Sequence, residues 1–140
     1  MMAVAFTALF GSNVVAADET VWDSFLALAA KFPERFAGSE GEKNAAKWLK
    51  SQYAALGYTA QVQPFDFDFR GKALTSSNIE VVIPGQSEKT IVIGAHYDAI
   101  GHHKGSAGFT DNASGTTTLL GVAKALKGKK HFYTIRLVSF

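Results

Sequence analysis

Two apolar segments on either side of an amphipathic one decide the fold: TIVIGA at residues 90–95, SGTTTLLGVAKALK at 114–127 and FYTIRLVSF at 132–140. The first is a short continuous apolar run, typical of a strand covered on both faces. A strand, a crossover helix and a second strand imply a partly parallel sheet. We therefore predict an α/β fold, a three-layer α/β/α sandwich with a mixed, partly parallel sheet, in which the strand at 90–95 has a strand on each side. A sheet of this kind normally contains more than one complete crossover, so we expect the domain to be truncated at its C-terminal side.

The upstream half adds two helices and two strands. Apolar spacing predicts a helix over residues 20–31, and a second helix runs to about residue 56, where Gly57 suits a left-handed C-terminal cap. Ser39 and Glu42 form an S-x-x-E capping box at the start of the second helix. Alternating apolar residues predict a half-buried strand over 58–69, and a further strand covers 77–83.

The composition excludes several classes of function and of metal ligand. The chain has 140 residues, enough for one domain, and a formal net charge of +2, which argues against nucleic-acid binding by bulk electrostatics. Cysteine is absent, so a disulfide scaffold, a thiol nucleophile and a thiolate-bound metal are all excluded. Any metal must bind through His, Asp or Glu.

The N-terminus has the outline of a signal peptide. Residues 3–17 are small and apolar, too short a stretch for a transmembrane span, and Val15-Ala16-Ala17 resembles a cleavage site followed by acidic Asp18. The positively charged start of such a peptide is missing, so a buried N-terminal segment is the alternative. We predict that residues 1–17 are removed, that residues 18–140 belong to the folded domain, and that the protein is exported to the periplasm or outside the cell.

Three polar side chains fall where strands end. His96 and Asp98 follow the strand at 90–95 as H-Y-D, and Asp111 opens D-N-A-S-G before the next helix. Ligands of open α/β sheets bind beyond the carboxyl ends of the strands, so these residues are expected to meet at that edge. Asp98 can accept the spare N–H of His96, which leaves the other ring nitrogen for a metal. Asp111 has two oxygens that can bridge two cations.

Each motif also has an ordinary structural interpretation. H-x-D after a strand is most often a surface pair, and D-N-A-S-G is most often a helix cap formed by Asp111 or Ser114. The two together at one sheet edge favour a metal site. The adjacent pair His102-His103 is interpreted as exposed loop, because neighbouring residues rarely converge on one ion.

The chain resembles the di-zinc aminopeptidases of metallopeptidase family 28. IVIGAHYDAIG, GFTDNASGTTTLLGVAKAL and TIRLVSF are similar to the core of that family, and RFAGSEGEKNAAKWLKSQYAALGY is similar to its upstream R-x-x-G-S segment and helix. The resemblance implies a zinc-dependent exopeptidase that hydrolyses N-terminal residues from peptides with metal-activated water. It covers residues 22–140.

The resemblance also implies roles for three residues. His96 matches a zinc ligand, Asp111 matches the aspartate that bridges two zincs, and Asp98 matches the catalytic-site aspartate that orients the histidine. The general-base glutamate and the other ligands of the family follow the strand resembling TIRLVSF, so they are assigned to no residue here. The 140 residues alone are therefore expected to be inactive and to bind zinc weakly.

Two alternatives remain open. A glutaminyl cyclase-like transferase has a similar fold and keeps one zinc, although D-N-A-S-G favours the peptidases. A non-catalytic binding domain on the same scaffold is disfavoured because His96 and Asp111 are both retained. The sequence leaves open the preferred side chain, amino- against carboxypeptidase specificity and the oligomeric state.

Overall fold

A computed structural model describes residues 11–100 and 107–140, with side chains described from residue 21 onward. Its elements, in chain order, are listed here: α1 (Gly11–Lys31), α2 (Glu40–Ala55), β1 (Gln61–Phe69), β2 (Lys72–Ile83), β3 (Ser87–Ala95), the turn Phe109–Ala113, α3 (Ser114–Leu126) and β4 (Tyr133–Ser139). The predicted α/β class is confirmed, and the predicted helices and strands are all present with shifted ends.

The sheet is mixed, as the crossover predicted. Its four strands lie in the order β1-β2-β4-β3. β1 with β2 and β2 with β4 are antiparallel, whereas β3 and β4 are parallel and joined through α3. The carboxyl ends of β3 and β4 therefore lie at the same edge of the sheet.

The core lies between one face of the sheet and the helices. Side chains from β2 and β4 on this face are buried against residues of all three helices that the described ranges contain. The main members are Leu28, Ala29, Leu49, Tyr53, Ile79, Val81, Leu120, Ala123, Ile135 and Leu137. The described residues thus supply the sheet and one helical layer.

The start of α2 departs in part from the predicted capping box. The Ser39 hydroxyl accepts the Glu42 backbone N–H at 3.1 Å, as expected for an N-cap. The Glu42 carboxylate does not return to the Ser39 N–H, because that group donates to the Phe36 carbonyl. It accepts the backbone N–H of Gly38 instead. Gly57 has the predicted left-handed conformation after the helix, with φ of 85°.

Two predictions of burial are wrong. Among the described residues β3 pairs with β4 alone, so it lacks the predicted strand on each side. Val92 lies on the face of the sheet away from the helices and is 57% exposed rather than covered. β1 occupies the opposite edge, and Phe65 and Phe69 are exposed. Apolar patterning indicates a strand in both cases, but it does not specify what lies beside that strand or over it.

The predicted signal peptide lies partly outside the described residues. Residues 1–10 are not described, and the backbone of α1 begins at Gly11, within the predicted peptide. Over the described ranges, none of the helices combines the length and apolarity needed to cross a bilayer.

Candidate metal centre

The end of β3 brings His96 and Asp98 to the sheet edge. The parallel pairing with β4 continues past the strand, since the Tyr97 N–H donates to the Phe140 carbonyl at 2.9 Å. The hydroxyl of Thr116, in the first turn of α3, donates to the His96 carbonyl at 2.8 Å. The backbone of His96 is thus held by the sheet and by the helix that follows the site.

The His96 ring lies between two carboxylates. Its Nδ1 is 2.9 Å from Oδ1 of Asp98, and its Nε2 is 2.9 Å from Oδ1 of Asp111. The expected approach of Asp98 to His96 and of His96 to Asp111 is therefore confirmed. Asp98 is half-buried, whereas the Asp111 side chain is 75% exposed and open to solvent.

Asp111 and Asn112 have different tasks in the turn before α3. The side chain of Asn112 accepts the Gly115 backbone N–H at 2.9 Å and so caps the helix. The helix-cap interpretation of this motif had named Asp111 or Ser114. The Asp111 carboxylate instead faces His96. Gly115 allows the Asn112 side chain to approach the helix closely, since a Cβ at residue 115 would lie 2.4 Å from the Asn112 oxygen.

A buried arginine lies behind the site. Arg35 is fully buried, and its guanidinium donates to the carbonyls of Tyr97, Ala107 and Gly108 at 2.6–2.7 Å. Burial lowers the pKa of Arg35, and the nearby Asp98 charge opposes that shift. Arg35, to which only the family resemblance drew attention, therefore contacts both segments that carry the site.

Tyr97 is held at its other end by Glu42. The Tyr97 hydroxyl lies 3.1 Å from the Glu42 carboxylate and 2.9 Å from the Ser77 carbonyl, and its single proton is shared between these two acceptors. Ser76 also donates to Glu42. Burial raises the pKa of Tyr97, so the phenol remains protonated and can act as donor. The capping-box pattern identified Glu42 as a helix residue, and no local signal connected it with a tyrosine 55 positions later.

The residues at this edge have the donor types of a zinc site. A neutral imidazole carries one N–H, so it cannot donate to Asp98 and Asp111 at once. A cation between Nε2 and Asp111 would satisfy the second contact. Ligands of a tetrahedral zinc are about 3.4 Å apart, from bond lengths of about 2.1 Å. The observed 2.9 Å therefore requires only a small movement of the exposed Asp111.

The site has two such ligands and lacks a third among the residues described. Among the side chains described, those of residues 21–100 and 107–140, no group of three His, Asp or Glu forms a metal site. Catalytic zinc usually has three protein ligands. His102 and His103, interpreted as exposed loop residues, lie outside the described residues.

Comparison with known proteins yields one family. Residues 78–140 match the sequence profile of peptidase family M28. A probable leucine aminopeptidase from Arthroderma otae is 33% identical over 98 residues, which is 68% of this chain and 27% of that protein. This chain therefore spans just over a quarter of the length of that relative.

Solved structures share the fold. A zinc aminopeptidase from Bacillus subtilis superimposes with a TM-score of 0.76 at 15% identity, over 87% of this chain and 60% of that one. A glutaminyl cyclase from Porphyromonas gingivalis superimposes with a TM-score of 0.77 at 23% identity, over 89% and 44%. At these identities the likeness concerns the fold alone.

Proposed function

We propose that this chain, which belongs to peptidase family M28, supplies part of the catalytic centre of a zinc aminopeptidase. The proposed enzyme releases N-terminal residues from peptides. The observation that carries the proposal is the His96 ring held between Asp98 and Asp111. The aminopeptidase relative and the zinc aminopeptidase of the same fold support it.

Each of the three residues has a distinct role in this proposal. His96 binds zinc through Nε2, and Asp98 accepts the Nδ1–H, which fixes the ring tautomer and its direction. Asp111 would hold zinc through its exposed carboxylate, whose two oxygens could bridge two ions. Zinc, when bound, makes a water acidic and polarises the scissile carbonyl. The general base and the remaining ligands are assigned to no residue of this chain.

We further propose that residues 1–17 are a signal peptide and that residues 18–140 belong to the exported enzyme. The small residues before Asp18 support this. N-terminal sequencing of the exported protein should begin at Asp18, and a mature protein that keeps Phe6 would contradict it.

The test uses the longest polypeptide that the gene encodes, with the 140-residue chain beside it. Asp111→Asn and His96→Ala should each remove bound zinc and abolish release of N-terminal residues, because each removes a ligand. Asp98→Asn should weaken zinc binding about 10–100-fold, since it only loosens the His96 ring. Metal content and peptidase rate are measured with and without chelator.

Matched controls come from outside the site. His131 lies before β4, at the opposite end of the sheet, and Asp66 on β1 accepts the Thr75 hydroxyl. His131→Ala and Asp66→Asn should keep zinc and activity. An Asp111→Asn protein with unchanged zinc and peptidase rate would show that the carboxylate is not a ligand.

The glutaminyl cyclase alternative is favoured by one observation, the fold shared with the Porphyromonas enzyme. Peptides with N-terminal glutamine separate the two activities. A peptidase releases free glutamine and shortens the peptide, whereas a cyclase leaves the length unchanged and releases ammonia. A protein that binds zinc but turns over neither substrate would indicate a binding domain.

A further inference from the structure

Arg35 is a buried cation whose hydrogen bonds all go to backbone carbonyls. Nε donates to Tyr97, Nη1 to Phe32 and Ala107, and Nη2 to Gly108, with distances between 2.6 and 3.1 Å. An arginine is always charged, and burying a charge without a bonded carboxylate is costly. The hydrogen bonds of a buried guanidinium can hold backbone segments in one arrangement that apolar packing alone would not fix.

These carbonyls belong to the two segments that carry the candidate ligands. Tyr97 lies between His96 and Asp98, and the Ala99 N–H donates to the Arg35 carbonyl at 3.0 Å, so Asp98 is bracketed by two bonds to one residue. Gly108 precedes the turn that contains Asp111, and its carbonyl also accepts the Ala113 N–H at 2.9 Å.

We propose that Arg35 is a positioning residue of the metal centre, whose forked guanidinium fixes the separation between the H-Y-D segment and the Asp111 turn. The inference rests on the proposed zinc site. The guanidinium is suited to this because its donors point in several fixed directions, whereas an ammonium concentrates its donors at one point.

Gly108 supports the same interpretation from the other segment. It has φ of 58°, and a Cβ there would lie 2.7 Å from Arg35 Nη2 and 2.5 Å from the Ala99 Cβ. The two segments thus meet at a distance that only a residue without a side chain allows, and Arg35 fills the junction.

The experiment measures zinc affinity by chelator competition and the visible spectrum of the cobalt-substituted protein. It uses the longest polypeptide that the gene encodes, as wild type, Arg35→Lys and Arg35→Met. Arg35→Lys keeps the charge, so its unfolding midpoint should lie much closer to that of wild type than the midpoint of Arg35→Met does. Both variants should bind zinc about 10–100-fold more weakly than wild type and give an altered cobalt spectrum. Arg136→Lys, at an arginine bound to Glu80 on β2, is the matched control and should leave both readouts unchanged.

A second variant covers the case in which the Arg35 variants do not fold. Gly108→Ala keeps Arg35 but forces the junction apart, so it should weaken zinc binding and alter the cobalt spectrum in the same way. Folded Arg35→Lys or Gly108→Ala protein with wild-type affinity and spectrum would overturn the positioning role alone. A wild-type polypeptide that takes up no zinc would overturn this inference together with the proposed function.

Discussion

Strands β3 and β4 look alike in the sequence, lie side by side and run parallel, but they occupy different environments. β4 has a neighbour on each side, and Leu137 is 0% exposed. β3 is an edge strand among the described residues, and Ile91 is 44% exposed. The body of β3 contributes less to the core than β4, and the residues directly after β3 include His96 and Asp98 of the candidate metal centre.

This difference separates two consequences of a similar pattern. Substitutions in β4 should act on folding stability, whereas substitutions just past β3 should act on zinc binding. Substitutions within β3 should affect stability little in the 140-residue chain. The variants below test the part of this division that concerns stability, by urea denaturation of that chain.

Leu137→Ala should have the largest effect. It removes a fully buried side chain at the centre of the sheet and leaves a cavity, so the free energy of unfolding should fall by about 2–5 kcal/mol. Ile91→Ala, on β3 and on the same face, is the matched control and should lose clearly less. Equal losses would mean that the two strands are equally buried in solution.

Glu80→Gln should have a smaller, pH-dependent effect. Buried Glu80 accepts hydrogen bonds from Arg136 on β4 and from Gln63 on β1, and the bond from Arg136 holds the pKa of Glu80 below its ordinary value of 4.5. The carboxylate therefore stabilises the fold above pH 4.5, and this contribution is lost as the pH falls through the lowered pKa.

The measurement is the urea midpoint of wild type and of Glu80→Gln, determined at pH values from 7 down to below the ordinary pKa of 4.5. The variant should be less stable at pH 7, and the difference should shrink on acidification. Glu88→Gln, an exposed position on β3, removes a charge without breaking a contact between strands and is the control. A difference that stays constant with pH would contradict the role of the Glu80 charge.

Val92→Thr should have the smallest effect. The side chain is more than half exposed and threonine is also a good strand former, so the free energy of unfolding should change by less than about 0.5 kcal/mol. Val138→Thr makes the same change on β4 at a residue 7% exposed, where the new hydroxyl is buried and should cost about 1–3 kcal/mol. Similar values at the two positions would remove the distinction between the strands.

Local patterns predicted the elements and the three candidate residues. Periodicity located the helices and strands, and the crossover rule placed His96 and Asp111 at one edge of the sheet, where their side chains are 2.9 Å apart. The roles of His96, Asp98 and Asp111 in binding zinc remain predictions. Patterns could not identify the supports of the site, because Arg35 and Glu42 contact residues more than 50 positions away.

The sequence by itself determined the α/β class, the parallel pair of strands and the position of the H-Y-D and D-N-A-S-G segments, since these follow from chain-local spacing and the handedness of a crossover. Only the tertiary structure decided which apolar strand is central, which side chain accepts a backbone N–H at the start of α3, and that Arg35 contacts both segments carrying the candidate ligands. Those outcomes depend on contacts between distant parts of the chain. A hydrophobic run has the same appearance whether one or two strands lie beside it, and a buried arginine is distinguished from a surface one only by the carbonyls around it.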